Sequence, residues 1–166
     1  MIFAYECFAD KDVFITLRNE CNLPLRAYHR SGQGQVINAL FVEKKANIGM
    51  VDEDPSGAHH RLRDQASLVK KTSFLEVRKF EGRHLIILKP ELEECFQKSM
   101  GIAGLSSTLP RPKELRPFLG IHDSNSHYHL EFRRELKTLY EISREQNTPT
   151  FITDLVDVIQ EIIKEF

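Results

Sequence analysis

Two short apolar runs, Ile2-Phe3-Ala4-Tyr5 and Ile48-Gly49-Met50-Val51, each give way at once to carboxylates: Glu6 and Asp10 after the first, Asp52-Glu53-Asp54 after the second. Short apolar runs bounded by turn formers and helical patterns read as strands buried on both faces, the habit of a parallel sheet. Such strands present their carboxyl ends along one edge, where open α/β sheets bind ligands. Glu6, Asp52 and Asp54 are therefore expected together. Carboxylates gathered in one place repel one another unless a hard cation such as Mg²⁺ neutralises them, so the simplest expectation is a metal site. Glu53, one step out of phase with the two aspartates, is expected to point away from them.

The chain between and beyond these runs supports the same architecture. Val13, Phe14, Leu17 and Cys21 recur at helical spacing behind Asp10, which is placed as an N-cap, and the spacing predicts a helix over 10–21. Leu25 to His29 reads as a second strand, Ser31 to Gly34 as a turn, and Val36, Ile37, Leu40 and Phe41 as one face of a second helix ending near Lys45. The resulting β-α-β-α-β order, with short connections, argues for parallel strands joined by right-handed crossovers. Further on, the pattern predicts a helix over 58–71, a hairpin from Phe74 to Lys89 turning at Glu81-Gly82, and a helix opening at Pro90 and running toward Met100. Residues 101–126 turn to Gly, Ser and Pro and read as an irregular connection. Two helices follow, over about 127–146 and 151–166, the second with an apolar stripe from Phe151 to Phe166 that reads as core packing. The expected domain is single: an α/β core over 1–104, with 105–166 packed on it as a connecting loop and C-terminal helices.

With 166 residues, 41% of them apolar, the chain suffices for one domain with a real core. Its net charge of −1 carries no global nucleic-acid signature. Locally, however, residues 56–89 hold Arg61, Arg63, Lys70, Lys71, Arg78, Lys79, Arg83 and Lys89 against only Asp64, Glu76 and Glu81. A polyanion would meet that segment favourably, although solvated faces of a helix and a hairpin explain it equally simply. Cys7, Cys21 and Cys95 are odd in number and lack CxxC spacing, which argues against a disulfide framework or a zinc knuckle. The histidines His59, His60, His122, His127 and His129 lack the spacing of a zinc site. No charged leader and no run of about eighteen apolar residues is present, so a cytoplasmic protein without a membrane partner is expected.

Glu6-Cys7-Phe8-Ala9-Asp10 at the end of a first strand, a Gly-containing turn after the second, and Asp52-Glu53-Asp54 at the end of a third together resemble the TOPRIM domain of primases, topoisomerases and overcoming-lysogenization-defect nucleases, and most of all the small stand-alone bacterial TOPRIM-like proteins. The resemblance covers roughly residues 1–100. It implies a Rossmann-like α/β fold and a Mg²⁺- or Mn²⁺-dependent nuclease in which Asp52 and Asp54 hold the cation and Glu6 binds a cation or acts as general acid or base. Such chemistry needs these groups because phosphodiester cleavage builds charge on oxygens that bound cations stabilise. Glu93 or Glu91, in Leu88-Lys89-Pro90-Glu91-Leu92-Glu93, would complete a second metal site; first-turn acids favoured by the helix dipole are the plain alternative. Cys7 stands where the family usually carries glycine, which implies a wider loop. Nucleic acid would be met by Lys70, Lys71, Arg78, Lys79 and Lys89. No Walker A sequence is present, so an ATP-driven step would require an ATPase partner. Two other classes stay open: a non-catalytic binding or assembly module using the C-terminal helices, and a phosphatase with an aspartate nucleophile.

Overall fold

The computed structural model describes residues 1–53, 65–119 and 126–166. Asp54, His59, His60, Arg61, Arg63 and His122 lie outside the described residues. The elements run β1 (Ile2–Tyr5), α1 (Phe8–Glu20), β2 (Arg26–His29), α2 (Gln33–Phe41), β3 (Ile48–Asp52), β4 (Ser67–Lys71), β5 (Leu75–Phe80), β6 (Arg83–Leu88), α3 (Leu92–Ile102), α4 (Pro112–Leu119), α5 (His127–Glu145) and α6 (Phe151–Lys164). The strands form one six-stranded sheet in the order β2-β1-β3-β6-β5-β4. β2, β1, β3 and β6 are parallel, and β5 and β4 are added antiparallel at one end. The expected α/β class, with a mostly parallel sheet, flanking helices and a C-terminal helical extension, is the class observed.

The central strands are apolar along Phe3–Tyr5, Ile48–Val51 and Leu85–Leu88 because both faces of the sheet are covered there. Phe3, Tyr5, Ile48, Met50, Ile86 and Leu88 face α1 and the C-terminal helices, while Ala4, Val51, Leu85 and Ile87 alternate toward α2. α2 lies close on β3: a Cβ at Gly49 would sit 2.4 Å from Leu40 Cδ1 and 2.8 Å from Val36 Cγ1. Gly49→Ala is accordingly expected to lower stability by about 1–3 kcal/mol through overpacking, which chemical denaturation will measure.

Four expectations are corrected. α1 begins at Phe8, capped by Cys7, and Asp10 is the third helical residue rather than the cap. α2 ends at Phe41, short of Lys45; Lys44 has a positive φ of 56°, which continues no helix. The described end of the helix expected over 58–71 is instead β4, because pairing with the open edge of β5 overrides the local helical spacing. The connection over 101–126 contains α4, whose Leu115 and Leu119 are buried one turn apart. The hairpin is as expected: β5 and β6 turn through Glu81 and Gly82, whose φ values of 46° and 75° suit a tight two-residue connection. The stripe Phe151, Leu155, Ile159 and Ile162 is buried, and Phe166 is exposed.

Candidate functional site

The sheet edge formed by the carboxyl ends of β1, β3 and β6 opens into a cleft of about 350 Å³ lined by Glu6, Cys7, Gly32, Gln33, Asp52, Glu53, Glu91, Glu93, Arg116 and their apolar neighbours. Register explains the convergence. Tyr5 pairs with Met50 and Asp52 with Leu88, so the residues that follow β1 and β6 emerge beside the end of β3. Glu6, Asp52 and Glu93 are thus brought to one cleft, while Asp54 is outside the described residues.

Asp10 organises the turn that carries Glu6 and Cys7. Its Oδ2 accepts the backbone N–H groups of Glu6 at 3.2 Å and Cys7 at 3.1 Å, and the Cys7 thiol accepts from the Asp10 N–H at 3.4 Å, completing a capping box. Cys7 has φ −133° and ψ 178°, extended backbone open to any residue, so glycine is not required there. Asp10 is 1% exposed, and its Oδ1 is buried without a hydrogen-bond partner among the described residues. Burial, and then the charges of Asp52 and Glu6, hold its carboxyl well above the usual range.

Asp52 ends β3. Its Oδ1 accepts from the Leu92 N–H at 3.0 Å, and its carbonyl accepts from Gln33 Nε2 at 2.9 Å, which ties the strand end to the first turns of α3 and α2. Burial pushes its carboxyl up to about 6, with the Leu92 N–H and the Arg116 guanidinium pulling the other way. Glu93 is pushed up to about 7, by burial first and by the Asp52 charge among the lesser causes. Its Oε2 is buried without a hydrogen-bond partner among the described residues, and Arg116 Nη2 lies 3.7 Å away. Arg116 itself is bonded to Glu91. Glu53 pairs with Lys89 at 2.9 Å and still lines the cleft, so it is less averted than its phase implies. Among the described residues no three His, Cys, Asp or Glu side chains stand close enough together to hold a metal ion.

The cations named from the sequence lie elsewhere or are engaged. Lys70 pairs with Glu161 at 2.6 Å and Lys79 with Glu165, both on or just beyond α6. Arg78 pairs with Glu76 at 2.6 Å and also donates to the Ala66 carbonyl. Lys89 bridges Glu53 and Glu76, each at 2.9 Å. Lys71 is exposed on β4, the outermost strand. Because Phe80 pairs with Arg83, Arg78 and Lys79 sit toward the sheet edge opposite the cleft.

Sequence reasoning missed Arg116, the cation that does reach the carboxylates, because it rides on a helix hidden in proline-rich composition; the signal was Pro112 in first-turn position before Leu115 and Leu119. It also missed the buried contact of α1 with α5, where Asp12 bonds His129 and accepts from Arg133 at 3.2 Å. Among the described residues no helix is long and apolar enough to cross a membrane. No family model, no curated protein and no solved structure matches the chain.

Proposed function

We propose that this chain is a TOPRIM-like, Mg²⁺- or Mn²⁺-dependent nuclease hydrolysing phosphodiester bonds of DNA or RNA, working beside an ATPase partner in a bacterial defence or repair setting. The observation that carries the reading is the gathering of Glu6, Asp52 and Glu93 in one cleft at the carboxyl edge of parallel strands, with buried Asp10 within the field of Asp52 and Glu6. The donor set has the chemistry a hard cation takes, although no three of the described side chains complete a site by themselves. It consists of carboxylate oxygens, two of them, Asp10 Oδ1 and Glu93 Oε2, buried without hydrogen-bond partners among the described residues. By the sequence resemblance Asp52 and Asp54 would hold the cation, Glu6 would bind a cation or act as general acid or base, and Glu93 would complete a second site. The bound cation would supply charge stabilisation and an activated water. The chain's own part is to orient these groups: Asp10 fixes the Glu6 backbone, and Leu92 N–H and Gln33 fix Asp52.

One observation favours a non-catalytic binding module instead: Arg116, bonded to Glu91 and near Glu93, already sets a positive charge among the carboxylates. Incubating the protein with end-labelled single-stranded DNA and RNA in Mn²⁺, Mg²⁺ or EDTA separates the readings, with Mn²⁺ binding followed in parallel by calorimetry. Metal-dependent cleavage is expected. Metal binding without cleavage of either polymer would turn the reading to the binding module, and no metal binding would end the metal-site reading.

A further inference from the structure

A second groove of about 480 Å³ lies between the first turns of α4 and the middle of α3, lined by Glu94, Gln97, Lys98, Arg111, Pro112, Lys113 and Glu114. It adjoins the carboxylate cleft through both helices. Glu93 lines the cleft and Glu94 the groove; Arg116 lines the cleft and Lys113, one helical turn earlier on the same exposed face of α4, the groove. Lys113 and Arg116 are therefore offset by about 5 Å along the α4 axis.

What distinguishes this groove is the state of its cations. Most basic side chains of the described residues are tied to carboxylates, including Lys70, Lys79 and Lys89. Lys98, Arg111 and Lys113 are exposed, make no ion pair among the described residues, and line one groove together beside the carboxylate cleft. Glu94 and Glu114 share the groove and leave it a single net positive charge, while Arg116 at the boundary with the cleft is already paired with Glu91. A carboxylate-lined cleft alone repels a polyphosphate; a polyanion that reaches it needs cations not already neutralised next to the reacting position.

We propose that the α3–α4 groove, through Lys98, Arg111 and Lys113, is the track that seats the phosphodiester backbone of a polynucleotide leading into the carboxylate cleft. This rests on the nuclease reading. It replaces the hairpin lysines as the nucleic-acid contact. Backbone contacts of this kind give affinity without sequence preference and carry a steep salt dependence.

The test uses fluorescence anisotropy of a fluorescein-labelled 20-nucleotide single-stranded DNA, in Ca²⁺ buffer over a series of salt concentrations, with Mn²⁺ calorimetry on the same proteins. Two triple variants carry the same change in net charge: Lys98→Gln/Arg111→Gln/Lys113→Gln in the groove, and Arg26→Gln/Lys71→Gln/Lys164→Gln at exposed cations remote from it. All six positions are on the surface, and melting curves confirm that both fold. The groove variant should lose about tenfold or more in affinity at moderate salt and flatten the slope of log K against log salt by about 2, the value for three contacts on a single strand, with Mn²⁺ binding retained. The remote variant should stay near wild type. Equal losses in both would assign the effect to net charge and overturn the groove, and so would wild-type affinity in the groove variant, in either case leaving the nuclease reading standing on Mn²⁺ binding. Wild type that binds Mn²⁺ but no DNA overturns the groove as a nucleic-acid track and turns the site toward another substrate; wild type that binds neither overturns both.

Discussion

Asp52→Asn is expected to abolish Mn²⁺-dependent cleavage, by 10²-fold or more, while raising the melting temperature of the metal-free protein by about 2–4 °C at pH 8. The two effects have one cause. Asp52 is a largely buried carboxylate beside Asp10 and within reach of the Glu93 field, so its charge costs the fold free energy that a bound cation would offset. Asparagine keeps an oxygen to accept the Leu92 N–H, which Asp52 Oδ1 accepts at 3.0 Å, and thus preserves the tie between β3 and α3 while removing the charge. Mn²⁺ should raise the melting temperature of wild type and do so much less in the variant. Equal stabilisation of both proteins by Mn²⁺ would remove Asp52 from the set of ligands.

The same carboxylates give the metal-free protein an unusual pH profile. In the fold Asp52 is raised to about 6 and Glu93 to about 7, both above the ordinary carboxylate range of the unfolded chain. An acid whose folded value is raised has its charged form disfavoured in the fold, so no cost exists below the unfolded value and the cost grows as pH rises through the folded one. Metal-free stability should therefore fall between about pH 4 and 7, by on the order of 1–2 kcal/mol after allowance for solvent screening. Affinity for Mn²⁺ should rise over the same interval, because the ligands must lose their protons. Denaturation curves in EDTA from pH 4 to pH 8 check the first statement; a flat profile would mean that these groups titrate as ordinary surface acids.

What could be read in the chain and what could not divides along sequence distance. β1, β3 and the carboxylates that follow them were legible because an apolar run with an abrupt charged end is a local signal, and parallel pairing then brings Glu6 and Asp52 together. The Glu81-Gly82 hairpin was legible for the same reason. β4 was not: Ser67 to Lys71 carries no alternation to mark a strand, and only the unpaired edge of β5 recruits it. The basic hairpin misled because the carboxylates that engage Lys70 and Lys79 lie 91 and 86 residues away on the chain, on or just beyond α6. Asp10 shows a subtler failure. The N-cap and the third-residue acid of a capping box stand three positions apart at the same helix end, and the start of α1 at Phe8 makes Asp10 the second of these, its carboxylate turned back to the Glu6 and Cys7 N–H groups.

His129→Ala is expected to destabilise the protein by about 3–5 kcal/mol, the largest stability change among the substitutions considered. Asp12 on α1 and His129 on α5 are both fully buried and bonded to each other, and Arg133 Nη1 reaches the second Asp12 oxygen at 3.2 Å from one turn further along α5. Burial raises the Asp12 carboxyl, while the His129 hydrogen bond, then the His129 and Arg133 charges, pull it back. Removing the imidazole leaves a buried carboxylate with one partially exposed partner and takes away the ring packed edge-on against Phe8 at 6.4 Å. The loss should propagate to the cleft, because α1 also carries Asp10 and is capped by Cys7, which lines the cleft. Asp12→Leu combined with His129→Leu should cost far less than the sum of the two single changes, since an apolar pair of similar volume leaves no fully buried charge and only the partly exposed Arg133 without its partner. A double-mutant cycle by urea denaturation reads the coupling; strictly additive losses would show that the two side chains contribute to the α1–α5 contact by packing alone, with no stabilisation from their bond.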